Sequence, residues 1–263
     1  MQDLGHYTNV ELLAEHGMAS VFVAEDRRDG KRVAIKTVRG RNHTYLDREF
    51  EILRGLSHPN IITVHERFVI AGATYFSMEL VDAARPLNDA LGALREESAF
   101  RVLRQLVVAV DHIHAQGLVH YELSPANLLV DRAGRLVVID FEHCRKLHED
   151  ESDIWPAGVI AGTPLYMSPE HLGKPACVEA DYFVVGTLLL EWVLGRHPFP
   201  VSDLQGMEGW RRCVEGANGA LARELLRDSP SPLAAVIQRL WDTSPAIRRE
   251  GWVTLRERTL RLP

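Results

Sequence analysis

Two groups of residues have the types and spacing that chemistry requires. The first is built on Lys36, the last residue of the run Val33-Ala34-Ile35-Lys36. On a strand, Lys36 shares a face with Ala34, while Val33 and Ile35 point the other way. Such a lysine is either solvated on an exposed strand or held over a phosphate by a carboxylate. Glu49, thirteen residues on, stands in a predicted helix and can supply that carboxylate. The second group is His120-Tyr121-Glu122-Leu123-Ser124-Pro125-Ala126-Asn127-Leu128-Leu129, with Asp140-Phe141-Glu142 following. A carboxylate, Glu122, and an amide, Asn127, lie five residues apart, after a helix and before a strand. Asn127 and Asp140 bracket one hairpin and could share a hard cation. Mg²⁺ takes oxygen ligands, one or two from protein and the rest from phosphate and water. Alone, Asp140 reads as a turn residue; as part of the whole group it reads as a ligand.

These residues need elements to position them. Val21 and Val23, then Val33 and Ile35, alternate with period two and predict strands. Asp29-Gly30 between them predicts a hairpin turn. From about His43 to Leu56, the spacing of Phe50, Ile52, Leu53 and Leu56 predicts an amphipathic helix, stopped by Ser57-His58-Pro59-Asn60. Ile61 to Ile70 and Thr74 to Val81 read as two more strands, with Ala71-Gly72 as their turn. After Asp82 helical patterns dominate: about Glu97–Gln116, Val178–Leu194, Pro232–Trp241 and Trp252–Leu260. Between the first two, Leu128 to Val130 and Leu136 to Ile139 form a hairpin around Asp131-Arg132-Ala133-Gly134. The predicted class is α+β, in two lobes that divide near Asp82, with a cleft between them that suits a ligand.

Composition narrows the function classes. The chain has 263 residues, enough to bury a core without disulfide staples. Hydrophobic residues make up 46% and charged residues 25%, which excludes disorder for the bulk of the chain. The formal charge of −6 argues against a strongly basic nucleic-acid or membrane-surface protein, though not against a local basic patch. The three cysteines, Cys144, Cys177 and Cys213, are widely spaced and form no CxxC pair, so neither a disulfide framework nor a zinc cluster is expected. The first residues show no signal-peptide pattern. The apolar stretch Tyr182 to Leu194 falls short of the ~20 residues a membrane span needs. A monomer in a reducing, cytoplasmic compartment is the expectation, with no membrane or nucleic-acid partner.

In order and spacing, these motifs resemble the eukaryotic-type protein kinase family over nearly the whole chain. Val33 to Lys36 is similar to the family's phosphate-binding lysine strand, and Glu49 to its helix glutamate. Glu79-Leu80-Val81 is similar to the hinge, with Met78 as gatekeeper. His120 to Leu129 resembles the catalytic loop, and Asp140-Phe141-Glu142 the metal-binding tripeptide. Gly162-Thr163-Pro164-Leu165-Tyr166-Met167-Ser168-Pro169-Glu170 resembles the close of the activation segment, and Arg248 is expected to pair with Glu170. The resemblance implies a two-lobed kinase-like fold, with an N-lobe of antiparallel sheet plus one helix over 1–81 and a mostly helical C-lobe over 82–263. It implies ATP and Mg²⁺ as cofactors and transfer of the γ-phosphate to Ser or Thr hydroxyls of a protein. Lys36, supported by Glu49, would orient the phosphates; Asn127 and Asp140 would hold the metal. Glu122 would orient the hydroxyl and accept its proton. Leu13, Val21, Ala34 and Leu129 would surround the adenine, and backbone groups of Glu79 and Val81 would bind its edge. Leu53, Val64, His120 and Phe141 would stack between the lobes, with Asp181 at the base.

The departures from the family bear on activity. The three glycine positions of its phosphate loop fall on Ala14, His16 and Ala19, and only Gly17 remains. Either the loop grips phosphates through other groups, such as His16, or it is a plain hairpin tip. The catalytic Asp falls on Glu122, one methylene longer. The neighbouring Arg falls on Tyr121, which argues against control by activation-segment phosphorylation. The catalytic-loop Lys falls on the neutral Ser124, and the Gly of the tripeptide on Glu142. Glu142 could bind a second Mg²⁺ or face solvent. Two rivals follow. One is a pseudokinase acting as a nucleotide-binding scaffold or regulator of a protein partner. The other is a small-molecule kinase, which Asp-Phe-Glu resembles and the segment ending at Glu170 opposes.

Overall fold

The computed structural model describes residues 3–39, 43–94, 96–148, 163–171, 175–200 and 206–261. Its first five strands are β1 Tyr7–His16, β2 Ala19–Asp26, β3 Arg32–Val38, β4 Val64–Ile70 and β5 Ala73–Glu79, with helix α1 (His43–Arg54) between β3 and β4. They form one antiparallel sheet in the order β1-β2-β3-β5-β4. The alternation in β2 appears as half-buried and buried residues in strict succession. In the β4–β5 hairpin, Ala71 and Gly72 both take left-handed φ, +50° and +79°. That combination matches the twist of the flanking strands in a two-residue turn.

One strand was not legible in the sequence and one sequence expectation shifts. β1 carries no clean period-two signal, because its pairing with β2 slips between Thr8 and Glu11 and again between Leu12 and Ala14. β4 starts at Val64, not Ile61; Ile61 instead bridges Val138 in parallel.

Helix α1 buries Leu46, Phe50 and Leu53 on one face, at spacings of four and three. Glu49 lies between them and is buried too. The helix stops at Arg54, where the Gly55 N–H donates to the carbonyls of Glu51 and Ile52.

Beyond the hinge come β6 Arg85–Pro86, α2 Leu87–Ala93, α3 Glu96–Ala115, β7 Leu118–Val119, β8 Leu128–Val130, β9 Leu136–Val138 and β10 Arg145–Lys146. Strands β6-β8-β9 form one small sheet and β7-β10 another. Helices α4 Glu179–Leu194, α5 Gly206–Gly216, α6 Gly219–Leu225, α7 Ala234–Leu240 and α8 Pro245–Leu260 follow. The short helices α2, α5 and α6 were not legible in the apolar spacing. Helix α8 begins at Pro245, well before the predicted Trp252. Pro245 suits a first helical turn, and Arg248 is fully buried although its type reads as surface. Helix α4 is buried on nearly all sides, as its continuous apolar pattern requires. Among the described residues no helix is long and apolar enough to cross a membrane.

One seam positions the candidate site. The Val138 N–H donates to the Asn60 carbonyl (2.8 Å) and the Ile62 N–H to the Val138 carbonyl (3.0 Å). The Asn60 amide also donates to the Leu136 carbonyl at 2.7 Å. The chain leaving α1 is thus tied to β9, the strand that leads to Asp140. Ile139 N–H donates to the Asn127 carbonyl at 2.9 Å, which ties the two ends of the β8–β9 hairpin.

Candidate active site

Lys36 is buried, so it is not the solvated strand residue that its type first suggests. Its Nζ lies 2.8 Å from each Glu49 oxygen and 2.8 Å from Asp140 Oδ1. The Phe141 N–H donates to Glu49 Oε1 at 3.1 Å, so one carboxylate joins the lysine strand to the tripeptide. Burial alone would lower the Lys36 pKa, but Asp140 and Glu49 outweigh it and hold the ammonium above its ordinary value. Burial pushes Glu49 up, against the pull of Lys36. Asp140 resists the same burial effect because Lys36 stabilises its charge, and it lies low. Asp140 sits at φ +62°, a left-handed conformation that a non-glycine residue adopts only where its surroundings enforce it.

Asp181, at the first turn of α4, is fully buried and organises the loop that begins at His120. Its carboxylate accepts the N–H groups of His120 and Tyr121, each at 2.9 Å, and meets His114 Nε2 at 2.8 Å. Burial opposes its ionisation, but these partners hold its pKa below the usual carboxylate value. The His120 ring packs on Phe141 with centroids 4.6 Å apart. Leu53 and Phe141 belong to one buried core, with Val64 packed against it. The His120–Phe141 contact of the predicted interlobe stack and its aspartate base are therefore in place, with Leu53 and Val64 in the same core.

Glu122 is mostly buried. Its backbone carbonyl accepts the Asn127 Nδ2–H (2.9 Å), and its N–H donates to His120 Nδ1 (3.3 Å). Burial, reinforced by Asp140 and Glu142, pushes its carboxyl up to about 8. His143 Nε2 stands 3.7 Å from Glu122 Oε2. Burial pulls that imidazole down to about 4. Ser124 is buried and its hydroxyl has no partner among the described residues. Tyr121 takes φ +66° and is buried between two groups. The Arg145 guanidinium lies 4.4 Å from its ring centre and the His171 ring 4.2 Å away. Residue types and spacing could not show the His143 and Arg145 contacts, because both cross between segments.

Around the expected nucleotide, Val21 pairs with Lys36 across β2 and β3, and Ala34 pairs with Met78 across β3 and β5. Leu129 is half-buried in β8, beside Pro86 of β6. The Glu79 N–H is committed to the Thr63 carbonyl at 2.8 Å, and its carboxylate pairs with Arg135. Val81 makes no backbone hydrogen bond among the described residues. Leu13 stands apart on β1, 55% exposed, and is not drawn into the core. Gly17 takes φ +55° in the β1–β2 turn; the His16 side chain lies outside the described residues. Gly162 lies outside them also. From Thr163 onward the segment forms two short 3₁₀ turns, Pro164–Tyr166 and Pro169–His171, and Glu170 pairs with Arg248 as expected. A groove of 720 Å³ lined by Ala83, Arg85, Leu94, Arg101 and Asp131 is separate from this cluster. The site is identified by its converging charges and not by volume.

The chain matches the protein kinase domain family over residues 7–251. It is 34% identical over 257 residues to CBL-interacting protein kinase 19 of Oryza sativa subsp. japonica, covering 93% of this chain and 48% of the relative. It is 33% identical over 213 residues to serine/threonine-protein kinase PksC of Streptomyces coelicolor, covering 74% and 38%. To CBL-interacting serine/threonine-protein kinase 12 of Arabidopsis thaliana it is 32% identical over 247 residues, covering 86% and 50%. The chain spans at most about half the length of these relatives. With Lys36, Glu49, Asn127 and Asp140 in the family's order and gathered at one site, the chain belongs to the protein kinase domain family.

Proposed function

We propose that this protein transfers the γ-phosphate of ATP to a Ser or Thr hydroxyl of a protein substrate. The observation that carries the reading is the closed Lys36–Glu49–Asp140 contact, with all three atoms pairs at 2.8 Å. A lysine so held is a fixed cation for phosphate oxygens and loses little rotamer entropy on binding them. The relatives named as serine/threonine kinases support the substrate class.

The donor set suits Mg²⁺. The Asn127 Nδ2–H is taken by Glu122, which leaves Oδ1 for a cation. Asp140 Oδ1 receives Lys36 and the Glu142 N–H, while Oδ2 has no partner among the described residues. Two such oxygens are what Mg²⁺ takes from protein. When bound, it neutralises charge on the phosphate oxygens. Glu122 orients the substrate hydroxyl and takes its proton as the oxygen bonds to phosphorus and ADP departs. A carboxyl near 8 titrates close to an operating pH, where a general base is most effective. Val21, Ala34 and Leu129 enclose the adenine, and Val81 offers its backbone groups to the ring edge. Leu13, exposed on β1, is the remaining residue that would line the adenine.

The test is incubation with labelled ATP·Mg²⁺, alone and with a generic acceptor protein, read by mass spectrometry, beside thermal melts. At a hundredfold excess over its dissociation constant, a ligand stabilises the folded state by about 2.7 kcal/mol. At ~2–4 °C per kcal/mol for a chain of this size, the melt rises by about 5–11 °C. Asp140→Ala should remove the Mg²⁺-dependent part and the transfer. A melt shift without transfer would favour the nucleotide-binding scaffold. Label on amino alcohols or sugars alone would make it a small-molecule kinase.

A further inference from the structure

We propose that His143 is a positioning residue whose imidazole holds the Glu122 carboxylate toward the substrate hydroxyl. The inference rests on the phosphotransferase reading and deepens it. Glu122 has one more rotatable bond than an aspartate. Its backbone is fixed at both ends, through Asn127 and His120. Nothing in those bonds fixes its carboxylate. Among the described residues, the one ion-pair partner of that carboxylate is His143, Nε2 to Oε2 at 3.7 Å. Both side chains are largely shielded, 20% and 12% exposed.

His143 is itself well placed to hold something. On one side, Phe141 is anchored by its N–H to Glu49 and its carbonyl by the Cys144 N–H at 3.1 Å. On the other, Arg145 pairs with Val119 in the β7–β10 sheet. The imidazole is therefore carried on a backbone pinned on both sides. Asp140 and Glu142 repel the Glu122 carboxylate; an N–H donor at Oε2 opposes that displacement. Ser124, whose hydroxyl has no partner among the described residues, does not supply it. A contact of 3.7 Å is longer than a hydrogen bond, and catalytic contacts of this kind close when substrate binds.

The experiment compares His143→Leu, which removes the donor, with His143→Gln, which returns an Nε2 donor at similar reach. Misplacing a catalytic group by about 1 Å costs ~10²-fold. His143→Leu should therefore slow single-turnover phosphoryl transfer by about 10–100-fold, with ATP affinity within about twofold of wild type. His143→Gln should recover most of the loss. A structural role would give no such recovery. Independently of turnover, the His143 Nε2 resonance in ¹⁵N-labelled protein should move in Glu122→Gln. His143→Leu as fast as wild type, His143→Gln as slow as His143→Leu, or an unmoved resonance would each overturn the inference alone. If His143→Leu does not fold, the glutamine variant and the resonance decide. Wild-type protein that transfers to no acceptor overturns the phosphotransferase reading, and this inference with it.

Discussion

Removing one partner of the Glu170–Arg248 pair should cost this protein more than any surface substitution. Arg248 is 0% exposed and Glu170 2%. The Arg248 Nη2–H donates to Glu170 Oε1, its Nη1–H to the Asp242 carbonyl at 2.9 Å, and its guanidinium lies 5.7 Å from the Phe183 ring centre. The pair fastens the segment before α4 to helix α8. Stranding one buried charge costs about 3–5 kcal/mol. At ~2–4 °C per kcal/mol for a chain of this size, Glu170→Ala should lower the melting temperature by roughly 6–20 °C. Replacing both partners together, Glu170→Leu with Arg248→Met, leaves no stranded charge and should recover most of that loss. Urea denaturation followed by circular dichroism measures wild type and both variants. A single variant that loses under about 1 kcal/mol, or a double variant no better than the single, would refute the reasoning that burial makes this pair costly to break.

Two further outcomes are expected. A Cβ on Gly186 of α4 would meet Leu240 Cβ at 2.9 Å and its carbonyl carbon at 3.0 Å, and one on Gly251 of α8 would meet Arg239 Cβ at 2.9 Å. Overpacking of about 1–3 kcal/mol outweighs the gain in helix propensity of ~1 kcal/mol, so Gly186→Ala and Gly251→Ala should each lower the denaturation midpoint; a rise would refute the close packing of α7 between them. Glu122 is held near 8 in the folded chain, above the ordinary carboxylate value of 4.5. Over that window the folded state binds the extra proton, so its stability falls as pH rises from about 4.5 to 8. Glu122→Gln should remove this loss in metal-free buffer, widening its advantage over wild type by up to about 5 kcal/mol between the ends of the window; parallel curves would refute it.

Much of this architecture was legible because it rests on local patterns. Period-two runs predicted β2 and β3, short apolar runs around a turn predicted β8 and β9, and the three- and four-residue spacing in α1 put Glu49 in a helix. Lys36, Glu122, Asn127 and Asp140 were identifiable by type and order. What failed to show had physical causes. Bulges removed the alternation from β1, a buried arginine disguised the start of α8, and the shortest helices carried too few apolar turns to give a period.

Residue chemistry alone determined which groups could bind phosphate, a hard cation and a proton. Only the tertiary structure decided which of them meet. The Asn60–Val138 seam brings Glu49 within reach of Lys36 and Asp140, residues 104 positions apart in the chain. Burial then changes what those groups are: it raises the Glu122 carboxyl, lowers His143 and sets them side by side. Spacing along a chain encodes the local turn of a helix or strand. Desolvation and long-range contact belong to the packed fold, because they depend on which other segments exclude water from a side chain.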